Sequence, residues 1–291
     1  MADVNNENEK HVADAGGGVK GKEDTERLKK RIQRHYDVTS DQFLKVWGEH
    51  IHHGYFKSPS DTAEQAQLNQ VIQLAESSGL SAGSTVLDVG CGIGGTARYL
   101  ARERGCRVTA MTNSRRQVEI ARELAAAEVA KLGSASSSPP SPPAPTPPSA
   151  PGASSSTSTD DFVQYPGAGV GAVRVLQLDV ERMRERLGGE TFDCVWVSEV
   201  VFHLHDRQLF FDSAAALLAP GGRLVVADIF RAAADPAAAP KRTQKELASI
   251  RRNHLCPELG TVDEYGQMAR GAGLRQRDEP LDITKNVTKT W

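Results

Sequence analysis

Residues 85–95 read Thr-Val-Leu-Asp-Val-Gly-Cys-Gly-Ile-Gly-Gly, and no other stretch limits the possible folds as strongly. An apolar run of strand length, 86–89, meets a glycine-dense turn, and a helix-forming segment, 96–103, follows at once. Glycines in such a turn adopt backbone angles that a Cβ forbids and let the main chain approach a ligand closely. The helix start beyond them offers unpaired N–H groups. Strand, glycine turn and helix together read as the nucleotide-proximal corner of an α/β sheet.

The alternation continues along the chain. Strands are expected at 86–89, 107–112, 173–178, 192–197 and 222–229, with helices at 96–103, 115–131 and 206–218. Continuous apolar strands separated by helical segments predict a mostly parallel sheet covered on both faces. The fold class is therefore α/β, Rossmann-like and doubly wound. Beyond the fifth strand come helical patterns at 241–253 and 262–272 and a strand-like 275–283. Two segments stand apart: a polar tail over 1–24 and a Ser/Pro-rich insertion over 133–171, most biased at 134–159. Neither carries enough apolar surface to offset its ordering entropy. Both are expected to be disordered, leaving one domain over 25–291 that the insertion interrupts.

A net charge of −2 supplies no broad basic field, so nucleic acid is not an expected partner. The four cysteines (Cys91, Cys106, Cys194 and Cys256) show no paired spacing and suit reduced thiols. The first residues lack the apolar core of a secretory signal, and no run reaches membrane-spanning length, so the expected location is the cytoplasm without integral membrane contact.

Gly90-x-Gly92-x-x-Gly95 satisfies the dinucleotide fingerprint, a weak signal alone. A nicotinamide enzyme would carry an acid at the end of the second strand to bind ribose. That place reads Met-Thr-Asn-Ser-Arg-Arg over 111–116, where only the arginines, through a 2′-phosphate, keep an NADP-dependent oxidoreductase open. Asp88, inside the first strand, instead suits a ligand bearing an ammonium and a sulfonium. Asp179, at the end of the third strand, suits an adenine amino group.

Leu87-Asp88-Val89-Gly90-Cys91-Gly92-Ile93-Gly94-Gly95 resembles motif I of the class I S-adenosylmethionine (SAM) methyltransferases. Thr112-Asn113-Ser114-Arg115-Arg116-Gln117 is similar to the Thr-x-Ser-x-x-Gln segment of the branch that includes the tocopherol, sterol and cyclopropane fatty acid synthase groups. His35-Tyr36-Asp37, the run Trp-Gly-Glu-His-Ile-His-His-Gly over 47–54, and Glu199 with His203 resemble the γ-tocopherol methyltransferase-like group most. The resemblance spans 27–132 and 173–283.

It implies that SAM is the methyl donor. Asp88, Gly90 and Gly92 would line its methionine and ribose part, Thr112, Asn113 and Gln117 its ribose end, and Asp179 with the backbone of Val180 its adenine. Tyr36 and residues 50–54 would close over it, with Glu199 facing the methyl group. Cyclopropane-forming relatives hold bicarbonate with a Cys and a Glu at positions that are His53 and Phe202 here, which disfavours that chemistry. The family also continues past this region with a helix and a last strand, so a sheet short of its last strand is expected.

Methyl transfer is an in-line displacement that depends on positioning and exclusion of water. A base is needed only where the acceptor loses a proton. His52, His53 and His203 are the candidates near neutral pH, with Glu199 to orient or accept. Each has a plainer reading. His52 and His53 pack a lid, and His203 caps the helix beginning near Asp206. The histidines of 50–53 lack zinc-enzyme spacing, so no metal is expected. The expected acceptor is a small molecule methylated on an aromatic or heterocyclic carbon or nitrogen. A sterol or other lipid acceptor, an NADP enzyme and a catalytically silent SAM-fold partner remain the alternatives, and the oligomeric state is open.

Overall fold

The computed structural model describes residues 19–135, 161–166, 171–232 and 240–290. Two helices, α1 (Val19–Trp47) and α2 (Ala63–Ser78), precede the sheet. Then come β1 (Thr85–Val89), α3 (Gly95–Arg104), β2 (Arg107–Thr112), α4 (Arg115–Ala135), β3 (Val163–Gln164), β4 (Ala172–Gln177) and α5 (Met183–Leu187). After them follow β5 (Phe192–Ser198), α6 (Arg207–Leu217), β6 (Leu218–Ala227), α7 (Lys241–Asn253), α8 (Val262–Gly271) and α9 (Thr284–Val287). The six strands lie in the order β3-β4-β2-β1-β5-β6 and are parallel except for β3.

Each central strand divides its side chains between two cores, as a period of two requires. Val86, Val108, Val173, Cys194 and Trp196 pack under α2, α3 and α4. Leu87, Val89, Met111, Val195 and Val197 pack on the other face with α5, α6 and Tyr265 of α8. Both faces are covered, which is why these strands read as unbroken apolar runs. Trp196, Phe210 and Phe211 are almost wholly buried. Each contributes roughly 2–3 kcal/mol through burial.

Several boundaries differ from expectation. The strand expected at 222–229 begins at Leu218 and ends at Ala227, with an irregularity between Phe192 and Cys194 before regular pairing resumes at Arg223. The segment 275–283 is not a strand. It is exposed through 275–282, holds Pro280 among charged residues, and offers no apolar face to a neighbour. Among the described residues no strand follows Ala227, so β6 is an edge of the sheet. Within the expected insertion, 133–135 continue α4 and Val163–Gln164 pair antiparallel with β4; 136–160 and 167–170 lie outside the described residues. Of the expected tail, 1–18 lie outside them and α1 starts at Val19. No described helix is long and apolar enough to cross a membrane.

Candidate active site

Parallel strands end at one edge, and the candidate residues collect there. The turn after β1 is fixed by Gly90 N–H and Cys91 N–H, which both donate to Met111 O (2.8 and 2.9 Å). Gly92 holds φ of 54°, and a Cβ there would meet nothing within 4 Å, so its backbone faces open space. Gly95, first residue of α3, is different. A Cβ there would run into Glu49 O and come within 2.8 Å of His50 Nδ1. The segment 48–54 between α1 and α2 therefore lies directly on the start of α3.

Beneath that lid is a cavity of about 40 Å³, lined by Glu49, His50, Ile51 and His52 above and by Asp88, Gly92, Thr96, Trp196 and Ser198 below. Among the described residues, six buried side-chain polar atoms have no hydrogen-bond partner. They are His50 Nδ1, His52 Nε2, Gln67 Oε1, Gln70 Oε1, Asp88 Oδ2 and Trp196 Nε1. Four belong to residues of the cavity wall. The other two come from α2 just behind it, where Gln67 Nε2 donates to His50 O (2.7 Å) and His52 O (3.2 Å) and Gln70 Nε2 donates to Ser198 Oγ (3.4 Å). An unsatisfied buried polar group costs about 1–3 kcal/mol, and folded chains carry only a few per hundred residues, so what is informative is that these six gather around one cavity. This wall is built for a polar ligand. Burial pushes the Asp88 carboxyl up to about 7, and burial, followed by the charges of His52, Arg98 and Arg102, pushes His50 down to about 3.

Next to the cavity lies a cluster of titratable groups. Glu199 follows β5 with φ of 56°, a left-handed conformation uncommon outside glycine. That geometry aims its carboxylate at the lid. Glu199 Oε1 accepts from His53 N–H (2.9 Å), and Oε2 accepts from His53 Nδ1 (2.7 Å). Burial alone would raise the Glu199 carboxyl, but the bond to His53 and the charges of His53 and His52 outweigh it and hold it low. His52 Nδ1 donates to His53 O (2.9 Å), and burial lowers its pKa. Tyr36 OH meets His203 Nε2 (3.1 Å), while His203 Nδ1 lies 3.4 Å from Leu255 O. Taking Nδ1 as the protonated nitrogen, Tyr36 is the donor to Nε2. Burial pushes His203 down to about 4, and burial together with the Glu199 charge pushes Tyr36 up to about 12.

A third group sits at the ends of β2 and β4. Thr112 Oγ1 donates to Gln117 Oε1 (2.6 Å), and both residues are buried. Asn113 O accepts from Gln177 Nε2 (3.3 Å). Asp179 Oδ1 accepts from Glu181 N–H (3.0 Å), which caps the short helical turn begun by Val180, and Oδ2 lies 3.8 Å from Lys29 of α1. Helix α1 reaches both the second and the third group, through Tyr36 to His203, Lys29 to Asp179, and Asp37 Oδ1, which accepts from Ser114 Oγ (2.6 Å).

The structure thus brings His52, His53, Glu199, His203 and Tyr36 into one cluster beside Asp88, Gly90 and Gly92, and sets Thr112, Asn113, Gln117, Asp179 and Val180 further along the same edge. His203 does not cap α6. Asp206 Oδ1 accepts from Leu209 N–H (2.9 Å) and fills that role. Gln67, Gln70, Trp196 and Asp228 escaped notice in the sequence, since buried glutamines resemble a solvated helix face. Among the described residues no cluster could hold a metal ion.

Residues 23–135 match the family model described as mycolic acid cyclopropane synthetase, and 154–226 match that of a methyltransferase domain. The chain is 27% identical to 27-O-demethylrifamycin SV methyltransferase of Amycolatopsis mediterranei (strain S699), over 89% of this chain and 79% of that one. It is 26% identical to the chloroplastic tocopherol O-methyltransferase of Arabidopsis thaliana, over 92% of this chain and 69% of the relative. Its fold is similar to the crystal structure of the [4+2]-cyclase SpnF, with a TM-score of 0.63, 21% identity, and coverage of 89% of this chain and 77% of that one.

Proposed function

We propose that this chain, which belongs to the class I S-adenosylmethionine-dependent methyltransferases, methylates a small aromatic or heterocyclic metabolite that gives up a proton in the reaction. The observation that carries this reading is the His53–Glu199 pair, held at 2.7 and 2.9 Å beside the cavity. The unpaired atoms of that cavity suit the donor's amino-acid end, with Asp88 beside the backbone of Gly90 and Gly92. Asn113 would meet the ribose where Thr112 and Gln117 brace one another, and Asp179 and Val180 would meet the adenine. When bound, the donor supplies an electrophilic methyl group on a sulfonium.

The chain's own residues supply the rest. With Nδ1 donating to Glu199, the Nε2 of His53 carries the lone pair. A proton taken there gives an imidazolium that the adjacent carboxylate stabilises. Loss of a proton from a phenol or ring N–H enriches the attacking oxygen, nitrogen or ring carbon. His52 fixes the carbonyl of His53, and so the direction of its ring. Tyr36 and His203 form a neutral, hydrogen-bonded wall opposite. The lid of 48–54 shields the displacement from water, which lets fixed dipoles act at low dielectric.

Full-length protein incubated with methyl-labelled SAM and extracts of its source organism should yield one labelled small molecule, identified by mass. The His53→Ala variant should retain S-adenosylhomocysteine affinity while losing roughly 100-fold or more in transfer rate. Binding of NADPH with none of SAM or S-adenosylhomocysteine would overturn the reading.

A further inference from the structure

We infer that Asp228 is a positioning residue for this reaction: it seats the turn that carries His203, and so the Tyr36–His203 wall of the acceptor side. The inference rests on the methyl-transfer reading of the same site. Asp228 is the residue after β6, where the chain leaves the sheet beside Glu199, whose N–H donates to Ala227 O (2.8 Å). Its side chain reaches back across the sheet edge rather than out to solvent. Oδ2 accepts from Phe202 N–H (2.9 Å), the middle residue of the short turn Val201–His203, and Oδ1 accepts from its neighbour Ile229 N–H (2.9 Å). Tyr265 of α8, itself buried, adds its hydroxyl at 3.4 Å from Oδ2.

The opposite side of the same turn is also gripped. Arg207 Nε donates to Val201 O (3.3 Å), and its Nη2 donates to Phe202 O (3.3 Å) and Glu258 O (2.7 Å). One residue thus holds the turn by an N–H and another by its carbonyls. A three-residue turn gripped at its first and middle residues has few torsions left, which fixes the Cα–Cβ direction of His203 against Tyr36. The Phe202 ring lies on the His203 imidazole at a centroid distance of 4.0 Å, so shifting Phe202 shifts His203.

An acid is a costly choice for mere packing here. Burial first, then the Glu199 charge, push the Asp228 carboxyl up to about 8 against the lowering bonds from Ile229 and Phe202 and the Arg207 charge. The charged and titratable groups facing it are Glu199 after β5, Arg207 on α6, Tyr265 on α8 and Cys256 in the loop before α8. Among the described residues, no other side chain accepts from the Phe202 N–H.

The test has one readout that needs no acceptor. NMR titration of the His203 imidazole in wild-type protein should place it near 4, as burial dictates. In Asp228→Ala, it should move at least one unit toward the exposed value of about 6.5. Asp228→Asn, whose amide oxygen still accepts from Phe202 N–H, should move it less and also serves where the alanine variant folds poorly. With the acceptor found by the labelled-donor assay, Asp228→Ala should lower kcat roughly 10- to 100-fold, the scale of a misplaced group. Its S-adenosylhomocysteine affinity should stay within about 3-fold, because the residue lies away from the cavity wall. An unmoved His203 titration, or donor affinity lost in parallel with kcat, would overturn the inference. If wild-type protein transfers no methyl group while His203 still responds to Asp228→Ala, the reaction reading fails and the positioning link stands.

Discussion

Asp88→Asn tests the cavity directly, through opposite effects on stability and binding. Asp88 is 3% exposed, one of its oxygens has no partner, and burial places its carboxyl at about 7 against 3.8 for the free group. A carboxyl raised by folding contributes stability that is fully present below the unfolded value and is lost as pH rises through the folded one. Between pH 5 and pH 8 the unfolded chain is nearly always ionised at this residue, whereas the folded chain resists ionisation. With about three units of separation, the ionisation penalty grows by roughly 2–3 kcal/mol across that interval. An asparagine has the same shape and no such penalty. The melting temperature of Asp88→Asn relative to wild type should therefore rise by roughly 5–8 °C between pH 5 and pH 8, at about 2–3 °C per kcal/mol for a chain of this size. Shifts elsewhere in the molecule, Asp228 included, cancel in the difference. The same variant should bind S-adenosylhomocysteine roughly 10- to 100-fold more weakly by calorimetry, the value of a hydrogen bond to a charged group. Parallel melting curves at the two pH values would refute the account of Asp88. Unchanged affinity would refute its assignment to the donor.

Two further substitutions probe the lid and the base. Gly95→Ala adds a Cβ into Glu49 O and against His50 Nδ1. It should raise amide exchange across 49–54 and weaken S-adenosylhomocysteine binding roughly 10-fold or more while leaving the sheet's protection intact, since alanine is the better helix residue; unchanged lid exchange would show that the segment does not rest on α3. Glu199→Gln keeps the shape that receives His53 but removes the charge that holds its proton. Transfer should fall roughly 100- to 1,000-fold, because an imidazolium formed on His53 loses the carboxylate that stabilises it; transfer within about 3-fold of wild type would argue against His53 as the base.

The strands were legible because both sheet faces are covered, so 86–89, 107–112 and 192–197 announce themselves as apolar runs. The glycine turn was equally legible, since its spacing answers to local backbone geometry, the left-handed φ of Gly90, Gly92 and Gly94. What stayed hidden depends on contacts distant in the chain. Helix α2 buries Gln67 and Gln70, polar residues that in sequence mark a solvated face. Their partners are lid carbonyls and Ser198, up to 128 residues away. His203 reads as a cap from its distance to α6, yet Asp206 is nearer the helix start and has the better acceptor, which leaves His203 for Tyr36 at a separation of 167 residues. The expected strand at 275–283 failed for the converse reason, because β-branched and apolar residues spaced among charges make no face without a neighbour. Asp228 left no local signal, since an acid after a strand reads as ordinary loop polarity.

The geometry of His53 ties the two halves of the site together. Its N–H and its ring both bond Glu199, its carbonyl accepts from His52, and the carbonyls of His50 and His52 hang from Gln67. The proposed base is therefore held by the same segment, 48–54, that lies over the start of α3. In that position the lid covers a cavity of about 40 Å³ beside Asp88. The same segment is tied to α3 by Glu49, which meets Arg98 Nη2 at 3.0 Å. On the proposed reading, the proton acceptor and the cover of the cavity are carried by one segment, so the packing that shields the cavity also aligns the base. Glycines bound that segment for two different reasons: Gly48 takes a φ of 77°, and Gly54 packs too closely on Ala66 for any side chain, so the placement of His53 depends on both.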